Sequence, residues 1–260
     1  MRLPSRRPTV RTTALPAEGV IRVAFDPGAL PTPRDAVGPN RFDDPRPQTM
    51  DRYVVRYTGQ SLRGCLLELL AWLRPDPEAL AREAQVLDDA ELGDEGPAIL
   101  AAQEVQARAV ADFLDGRHVG LLNVDGLVAL SINDPSLQAE LDREPAVRAL
   151  LDSPEGHAAL GGEGRKAHLD EAAVRLSTDL GRDLTRACSL AIRDRNDRPD
   201  AIHYRSRHDD TENCWAIYDH ASVQLTQSSS LDPADAHHHE ALVSVATLWQ
   251  LALPRQWMSS

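Results

Sequence analysis

Between Ile202 and Asp209 the chain reads Ile-His-Tyr-Arg-Ser-Arg-His-Asp, and Trp215-Ala216-Ile217-Tyr218 follows shortly after. Ile202, Tyr204 and Ser206 alternate with His203, Arg205 and Arg207. A period of two is one that an extended strand converts into two distinct faces. It sets a serine hydroxyl on the apolar face and the guanidinium groups of Arg205 and Arg207 on the other. A serine held beside fixed positive charge is the beginning of an anion or sugar site. The plainer reading is a half-buried strand whose arginines are solvated and whose serine bonds to a neighbouring carbonyl.

The remaining stretches supply partners for such a strand. Val20 to Phe25 has a strand pattern that ends in the turn signal Asp26-Pro27-Gly28. Tyr53 to Tyr57 reads as a second strand, and Ser61 is placed to cap a helix carrying Leu62, Cys65, Leu66, Leu69, Leu70 and Leu73 before Pro75 ends it. Glu68 lies at or beside that apolar stripe, where a carboxylate needs a partner or a proton because burying it unpaired is expensive. Residues 76–118 read as two helices joined by an acidic connector from Asp88 to Glu95. Val119 to Ile132 reads as a hairpin about Asn123-Val124-Asp125-Gly126. A helical region starts at Asp134-Pro135 and runs to Leu151. Ser153 to Gly164 reads as a loose, Gly-rich loop or lid, and Leu169 to Arg193 as a helix interrupted near Gly181. Cys214 to Tyr218 is a further strand and Ser228 to Asp235 a loop. Ala241 to Leu253 is an apolar helix or strand that can pack on the core or on a second subunit.

Composition removes several classes of function. With 260 residues, 42% of them hydrophobic, the chain can bury a substantial core. Its formal net charge of −12 argues against direct nucleic-acid binding, which relies on clustered positive charge. Lys166 is its only lysine, which leaves Schiff-base and P-loop chemistry a single, badly placed candidate, whereas arginine suits bidentate recognition of phosphate and carboxylate. Cys65, Cys188 and Cys214 are odd in number and form no C-x-x-C pair, the pattern of buried thiols in a reducing cytoplasm. No apolar run approaches the roughly 18 residues needed to span a bilayer, and the N-terminus lacks the apolar core of a secretory signal, so a cytoplasmic protein without membrane contact is expected. Residues 1–18, with Arg2, Arg6, Arg7 and Arg11, read as a disordered basic arm. Its composition is similar to that of a transit peptide, but it has no clear apolar face.

Taken in order, these pieces resemble the RES-domain family. Ile21-Arg22-Val23 looks like the family's opening strand with its arginine, and Asn40-Arg41-Phe42-Asp43 like its second arginine motif. Tyr57, eleven positions before Glu68, matches the tyrosine and the helical glutamate. Ile202 to Arg207 with Trp215 to Tyr218 looks like the closing serine motif. Each match is weak alone, and their common order makes the set specific. The resemblance implies an α+β fold, similar to ADP-ribosyltransferases, with a mixed β core and surrounding helices. It implies a toxin of a bacterial toxin–antitoxin pair that takes NAD+ as substrate rather than holding a cofactor, neutralised by an antitoxin with an Xre-type helix-turn-helix domain. Carried onto this chain, the family's functional positions are Arg22, Arg41, Tyr57, Glu68 and Ser206. The family core is shorter, so residues 19–225 are expected to form the domain, with a helical insertion at about 76–118, and residues 226–260 a C-terminal extension.

The residue types suit the chemistry the resemblance implies. Cleaving the nicotinamide–ribose bond leaves a sugar centre of oxocarbenium character, which a nearby carboxylate stabilises. Glu68 suits that role and Arg22 and Arg41 suit the pyrophosphate. Tyr57 can stack on the nicotinamide ring or bond to ribose. Ser206 can bond the ribose or the amide, or fix Glu68, and it has no His–Asp pair at hand to make it a nucleophile. The acceptor stays open: water or phosphate for a glycohydrolase or phosphorylase, or a protein for a mono-ADP-ribosyltransferase. A silent binding or scaffold module, with Glu68 merely paired to an arginine, is the third reading. His203, His208 and Asp209 are close in sequence, but neighbours on a strand point to opposite faces, which disfavours a triad or metal cluster. His237-His238-His239-Glu240 suits a solvated loop better than a coordination sphere. Cys65 and Cys188 fall on apolar helical faces.

Overall fold

The alternating stretches join into one sheet. The computed structural model describes residues 10–30, 40–47, 52–76, 96–162 and 165–258. Its strands are β1 (Thr12–Ala14), β2 (Val20–Ala24), β3 (Val55–Gly59), β4 (His118–Asn123), β5 (Val128–Ser131), β6 (Ala201–Arg205), β7 (Asn213–Tyr218) and β8 (Gln224–Ser230). They lie in the order β1-β5-β6-β7-β3-β2-β4-β8, and β5–β6 is the parallel pair among antiparallel neighbours. Helices α1 (Leu62–Leu70), α2 (Gly96–Leu114), α3 (Pro135–Leu141), α4 (Pro145–Leu151), α5 (Pro154–Leu160), α6 (Glu171–Arg175), α7 (Asp179–Arg193) and α8 (Ala236–Trp249) surround it, giving an α+β fold with a mixed sheet. Among the described residues no helix is long and apolar enough to cross a membrane.

The register sorts side chains onto two faces. Val55, Ile202, Tyr204, Ala216 and Tyr218 share one face and pack under α3, α4, α6 and α7 with Leu137, Leu151, Val174 and Leu184. Farther along that face, Val23 meets Leu66 and Leu70 of α1, Val110 of α2, and Leu242 and Trp249 of α8. Burying an apolar side chain of this size contributes roughly 1.5–3 kcal/mol, so these two layers hold the helices to the sheet. Val20, Leu122, Ala129, Ala201, Trp215 and Ile217 form a third cluster on the opposite face.

That third cluster requires the sheet to curl. β5 and β4 are separated by β6, β7, β3 and β2, a distance of ~24 Å on a flat sheet. The chain from Asn123 to Val128 reaches at most ~18 Å, and it bends through a turn in which Leu127 N donates to Val124 O. The two ends of the sheet therefore approach one another around Val20, Leu122 and Ala129.

Several elements depart from what the pattern predicts. β4 and β5 do not form the predicted hairpin: β4 pairs with β2 and β8, and β5 with β1 and β6. The turn at Gly126, with φ of +77°, is present; burial of both strands against other partners decides the pairing. Residues 12–14, predicted as part of a disordered arm, form β1 against β5, and Leu15 is buried; residues 1–9 lie outside the described part. Ser153 does not open a loose loop. It caps α5, its hydroxyl accepting from Gly156 N at 2.9 Å. The interruption predicted near Gly181 falls at residues 176–178, and Gly181 sits in the first turn of α7, where an added Cβ would lie 2.1 Å from Leu176 O. Residues 228–230, predicted as loop, end β8, a fully exposed edge strand whose polar sequence hides the alternation. The histidine run lies in the first turns of α8, capped by Asp235, rather than in a loop. β8 and α8 complete the sheet and one core layer, so residues 226–258 are built into the fold. Of the two helices predicted over 76–118, α2 is the second, and the first, with the acidic connector, lies outside the described residues.

Candidate functional site

β2 and β3 pair at a single position, Ile21 with Gly59, while β2 and β4 pair along five. Beyond Ile21 the two strands part, and a cavity of about 350 Å³ opens in the gap. Arg22, Val23 and Ala24 wall it from β2, and Val54, Val55, Tyr57 and Thr58 from the β3 side. Arg41 and Asp43 reach it from their loop, Glu68 and Leu69 from α1, and Tyr204 and Arg207 from β6 and beyond. Asn40, Cys65 and Cys214 complete the wall.

Glu68 is placed there by the way α1 begins. The Ser61 hydroxyl accepts from Gly64 N at 2.8 Å and donates to Glu212 Oε2 at 2.6 Å. A cap of this kind contributes about 1 kcal/mol and fixes where the helix starts. At Gly64 an added Cβ would come within 2.6 Å of Glu212 Oε2, so a larger residue there has to displace the carboxylate from Ser61 and Arg63. Arg63 clamps the same loop, with Nη1 2.7 Å from Asp209 Oδ2 and 2.9 Å from Glu212 Oε1. Two hydrogen bonds from Thr211 and the Arg63 guanidinium hold the Asp209 carboxyl down to about 2. The 206–212 loop is thereby anchored to α1, and fully buried Ser206 donates its hydroxyl to Glu68 Oε1 at 2.7 Å. Ser206 Oγ also accepts from His208 N at 3.1 Å, which aims its proton at the carboxylate.

Arg41 faces this carboxylate from the other wall. It is 8% exposed, and Nη2 donates to Val174 O at 2.6 Å. Its Nε and Nη1 are buried without a partner among the described residues. Burial, then the neighbouring Arg207 charge, pulls the Arg41 pKa down, while Tyr204 and Glu68 pull it up. Its guanidinium carbon lies 5.2 Å from the centre of the Phe42 ring and 5.4 Å from that of Tyr204. Buried donors of this sort cost free energy unless a ligand or water satisfies them. Arg207 presents a second such donor, its buried Nε.

The five positions singled out in the sequence thus meet in one region, on unequal terms. Arg41, Tyr57 and Glu68 line the cavity and Ser206 stands behind Glu68. Arg22 lines it as well, but its Nη1 is engaged by Pro27 O and Ala29 O, which staples the loop after β2. Burial, and secondarily Arg56, lower its pKa to about 10. The Tyr57 hydroxyl is engaged too: it donates to Asp43 Oδ1 at 2.9 Å and accepts from Phe42 N at 2.9 Å, which leaves the ring for contact with a ligand. Burial raises the Asp43 carboxyl above its usual range.

Asp43 and Tyr204 join the site without having been singled out for it, and Arg207, expected beside Ser206 as part of an anion site, joins it by a route that its strand position does not predict. The alternation from Ile202 predicts Arg207 on the polar face opposite Ser206. β6 ends at Arg205, and the turn closed by Ser206 N donating to Glu212 O at 2.9 Å redirects Arg207 into the cavity. Periodicity has no authority past the last strand residue, and the turn is the signal that finds Arg207.

The histidines nearby have separate partners. His203 Nδ1 lies 3.1 Å from Ser131 Oγ and Nε2 3.0 Å from Asn213 Oδ1, while the His208 ring meets Trp249 edge to face at 5.1 Å. His238 Nδ1 accepts from Asp232 N, and His239 Nε2 lies 3.0 Å from Trp257 O. Among the described residues no group of three His, Cys, Asp or Glu is placed to hold a metal ion. Burial lowers the His203 pKa below 6.5. The folded state then binds fewer protons than the unfolded one, so stability holds above pH 6.5 and falls as the pH drops from there toward the lowered value. Chemical denaturation at pH 8 and pH 5 is expected to show a loss on acidification that shrinks in His203→Gln. An equal loss in the variant would assign the effect to other groups.

No protein-family model matches the chain, and no curated protein matches it. Among solved structures it is similar to the crystal structure of the M. tuberculosis MbcT–MbcA toxin–antitoxin complex, at 12% sequence identity and a TM-score of 0.40, with 93% of this chain and 92% of that one covered.

Proposed function

We propose that the chain binds NAD+ in the cavity between β2 and β3 and cleaves its nicotinamide–ribosyl bond. One observation carries this reading: a buried guanidinium, Arg41, whose Nε and Nη1 have no partner among the described residues, stands across a cavity from a carboxylate that Ser206 holds in place. Fixed donors suit a pyrophosphate, and a fixed carboxylate suits a cationic sugar centre.

In this mechanism the C1′–N bond breaks with its electron pair passing to the nicotinamide nitrogen, which becomes neutral. Positive charge builds on C1′ and the ring oxygen beside Glu68; either a water oxygen then bonds to C1′ and passes its proton to the Glu68 carboxylate and on to solvent, or an anionic oxygen of phosphate bonds to C1′ with no proton to lose. Arg41 and Arg207 bind the pyrophosphate, Tyr57 packs on the nicotinamide riboside half, and Ser206 positions Glu68. The order of Arg22, Arg41, Tyr57, Glu68 and Ser206 extends the proposal to a RES-type toxin of ADP-ribosyltransferase-like fold that an antitoxin protein restrains.

Purified protein mixed with NAD+ is expected to release nicotinamide, followed by chromatography with and without phosphate. ADP-ribose as the second product identifies water as acceptor, and its 1″-phosphate identifies phosphate. Label from NAD+ retained on a protein band would favour transfer to a protein. Intact NAD+ after incubation with folded protein would sink the proposal.

A further inference from the structure

The cavity is at the small end for ligand sites, about 350 Å³ against a usual range of roughly 300–1,000 Å³, and the segments that lead out of its walls carry an unusual surface. Aromatic residues are 4% of the chain, yet Trp72 is 65% exposed and Phe25 66% exposed. Both lie on segments that continue from cavity walls. Trp72 lies one turn past Glu68, in the 3-10 turn Ala71–Leu73 that continues α1, and Phe25 is the residue after Ala24.

The two rings are linked by a fixed ladder. The Arg117 guanidinium carbon lies 4.7 Å from the centre of the Phe25 ring and 3.9 Å from that of Phe113, and Phe113 meets Trp72 edge to face at 5.7 Å. Arg117 Nε donates to Phe113 O at 2.6 Å, which locks the guanidinium between the rings. Leaving two large aromatic side chains in water forgoes the burial that most such rings obtain, so a rigid pair on segments continuous with the cavity walls is suited to an aromatic ligand.

We propose that Trp72, supported by Phe113, Arg117 and Phe25, is a stacking platform for the adenine of a dinucleotide whose nicotinamide riboside half occupies the cavity. This rests on the reading of the cavity as an NAD+ site. The pyrophosphate, held by Arg41 and Arg207, bridges inner cavity and outer platform. The platform discriminates a dinucleotide from nicotinamide mononucleotide, which has the same scissile bond and no adenine.

Steady-state cleavage of both compounds by wild type, Trp72→Ala, Phe25→Ala and Trp72→Phe tests it. Stacking of one base on an aromatic side chain predicts a KM for NAD+ raised roughly 5- to 140-fold in Trp72→Ala, with nicotinamide mononucleotide unaffected and Trp72→Phe largely restored. Unchanged NAD+ kinetics in Trp72→Ala, or equal changes for both compounds, would overturn the platform while leaving the cleavage reading intact. Calorimetry with ADP-ribose covers the case in which the wild type cleaves neither compound: binding weakened in Trp72→Ala supports the platform, and no binding to wild type ends it. Both side chains are exposed, so these variants are expected to unfold at the wild-type temperature, and circular dichroism checks that they do.

Discussion

Glu68→Gln is expected to lower kcat for NAD+ cleavage by about 10²- to 10³-fold, the cost typical of removing one preorganised electrostatic group. Glutamine keeps the length and shape of the side chain and an oxygen that accepts from Ser206 Oγ, so the contact that orients it survives. What disappears is the negative charge beside C1′ as the glycosidic bond opens. The binding contribution of the arginines is untouched, so KM is expected to change far less than kcat, and the unfolding free energy to stay within about 1 kcal/mol of wild type. Nicotinamide release under saturating NAD+ measures the first quantity and urea denaturation the second. A variant within tenfold of wild type would mean that the carboxylate does no more than pair with its neighbours, as in a scaffold.

Arg41→Met is expected to raise the apparent Kd or KM for NAD+ by more than about 10²-fold, because it removes a charge-assisted fork that meets the pyrophosphate in a site shielded from solvent. The effect on stability is a balance of opposing costs. Methionine leaves Val174 O without its donor, which costs about 1–3 kcal/mol, and it also removes a buried charge whose lowered pKa reports an unfavourable environment. The two roughly cancel, so the melting temperature is expected to move by only a few degrees. Arg41→Lys keeps the charge but loses the planar fork, and falls between. A variant that loses stability and retains NAD+ affinity would identify Arg41 as a structural cation. A variant that loses affinity and keeps its fold ties Arg41 Nε and Nη1 to the ligand.

These two residues also show where sequence reasoning reaches and where it stops. Glu68 is conspicuous in the sequence because an acid among Cys65, Leu66, Leu69 and Leu70 violates the helical pattern, and such violations collect at functional sites. Its partner is 138 positions away, so the Ser206 hydrogen bond depends on β6 ending beside α1. Arg41 sits in a Pro- and Gly-bearing loop with no periodicity, and it was singled out by the order of the RES-like motifs rather than by any local pattern. Its burial against Val174 is a property of the packed chain. Arg22 was expected to share its role, and the loop carbonyls that occupy its Nη1 could not be anticipated because they belong to a turn whose shape is set by packing.

Local chemistry in the chain is sufficient for the strands β2, β3, β6 and β7 and the serine that starts α1, because each follows from neighbours within a turn or a few residues of one another, while the α+β class came from the order of the RES-like motifs. Strand order, the separation of β4 from β5 and the parting of β2 from β3 are of another kind. They depend on which apolar faces bury each other over long stretches of chain, and many arrangements share the same local pattern. The cavity exists only where those strands separate, so the residues that can act are present in the sequence and their meeting is a result of tertiary packing.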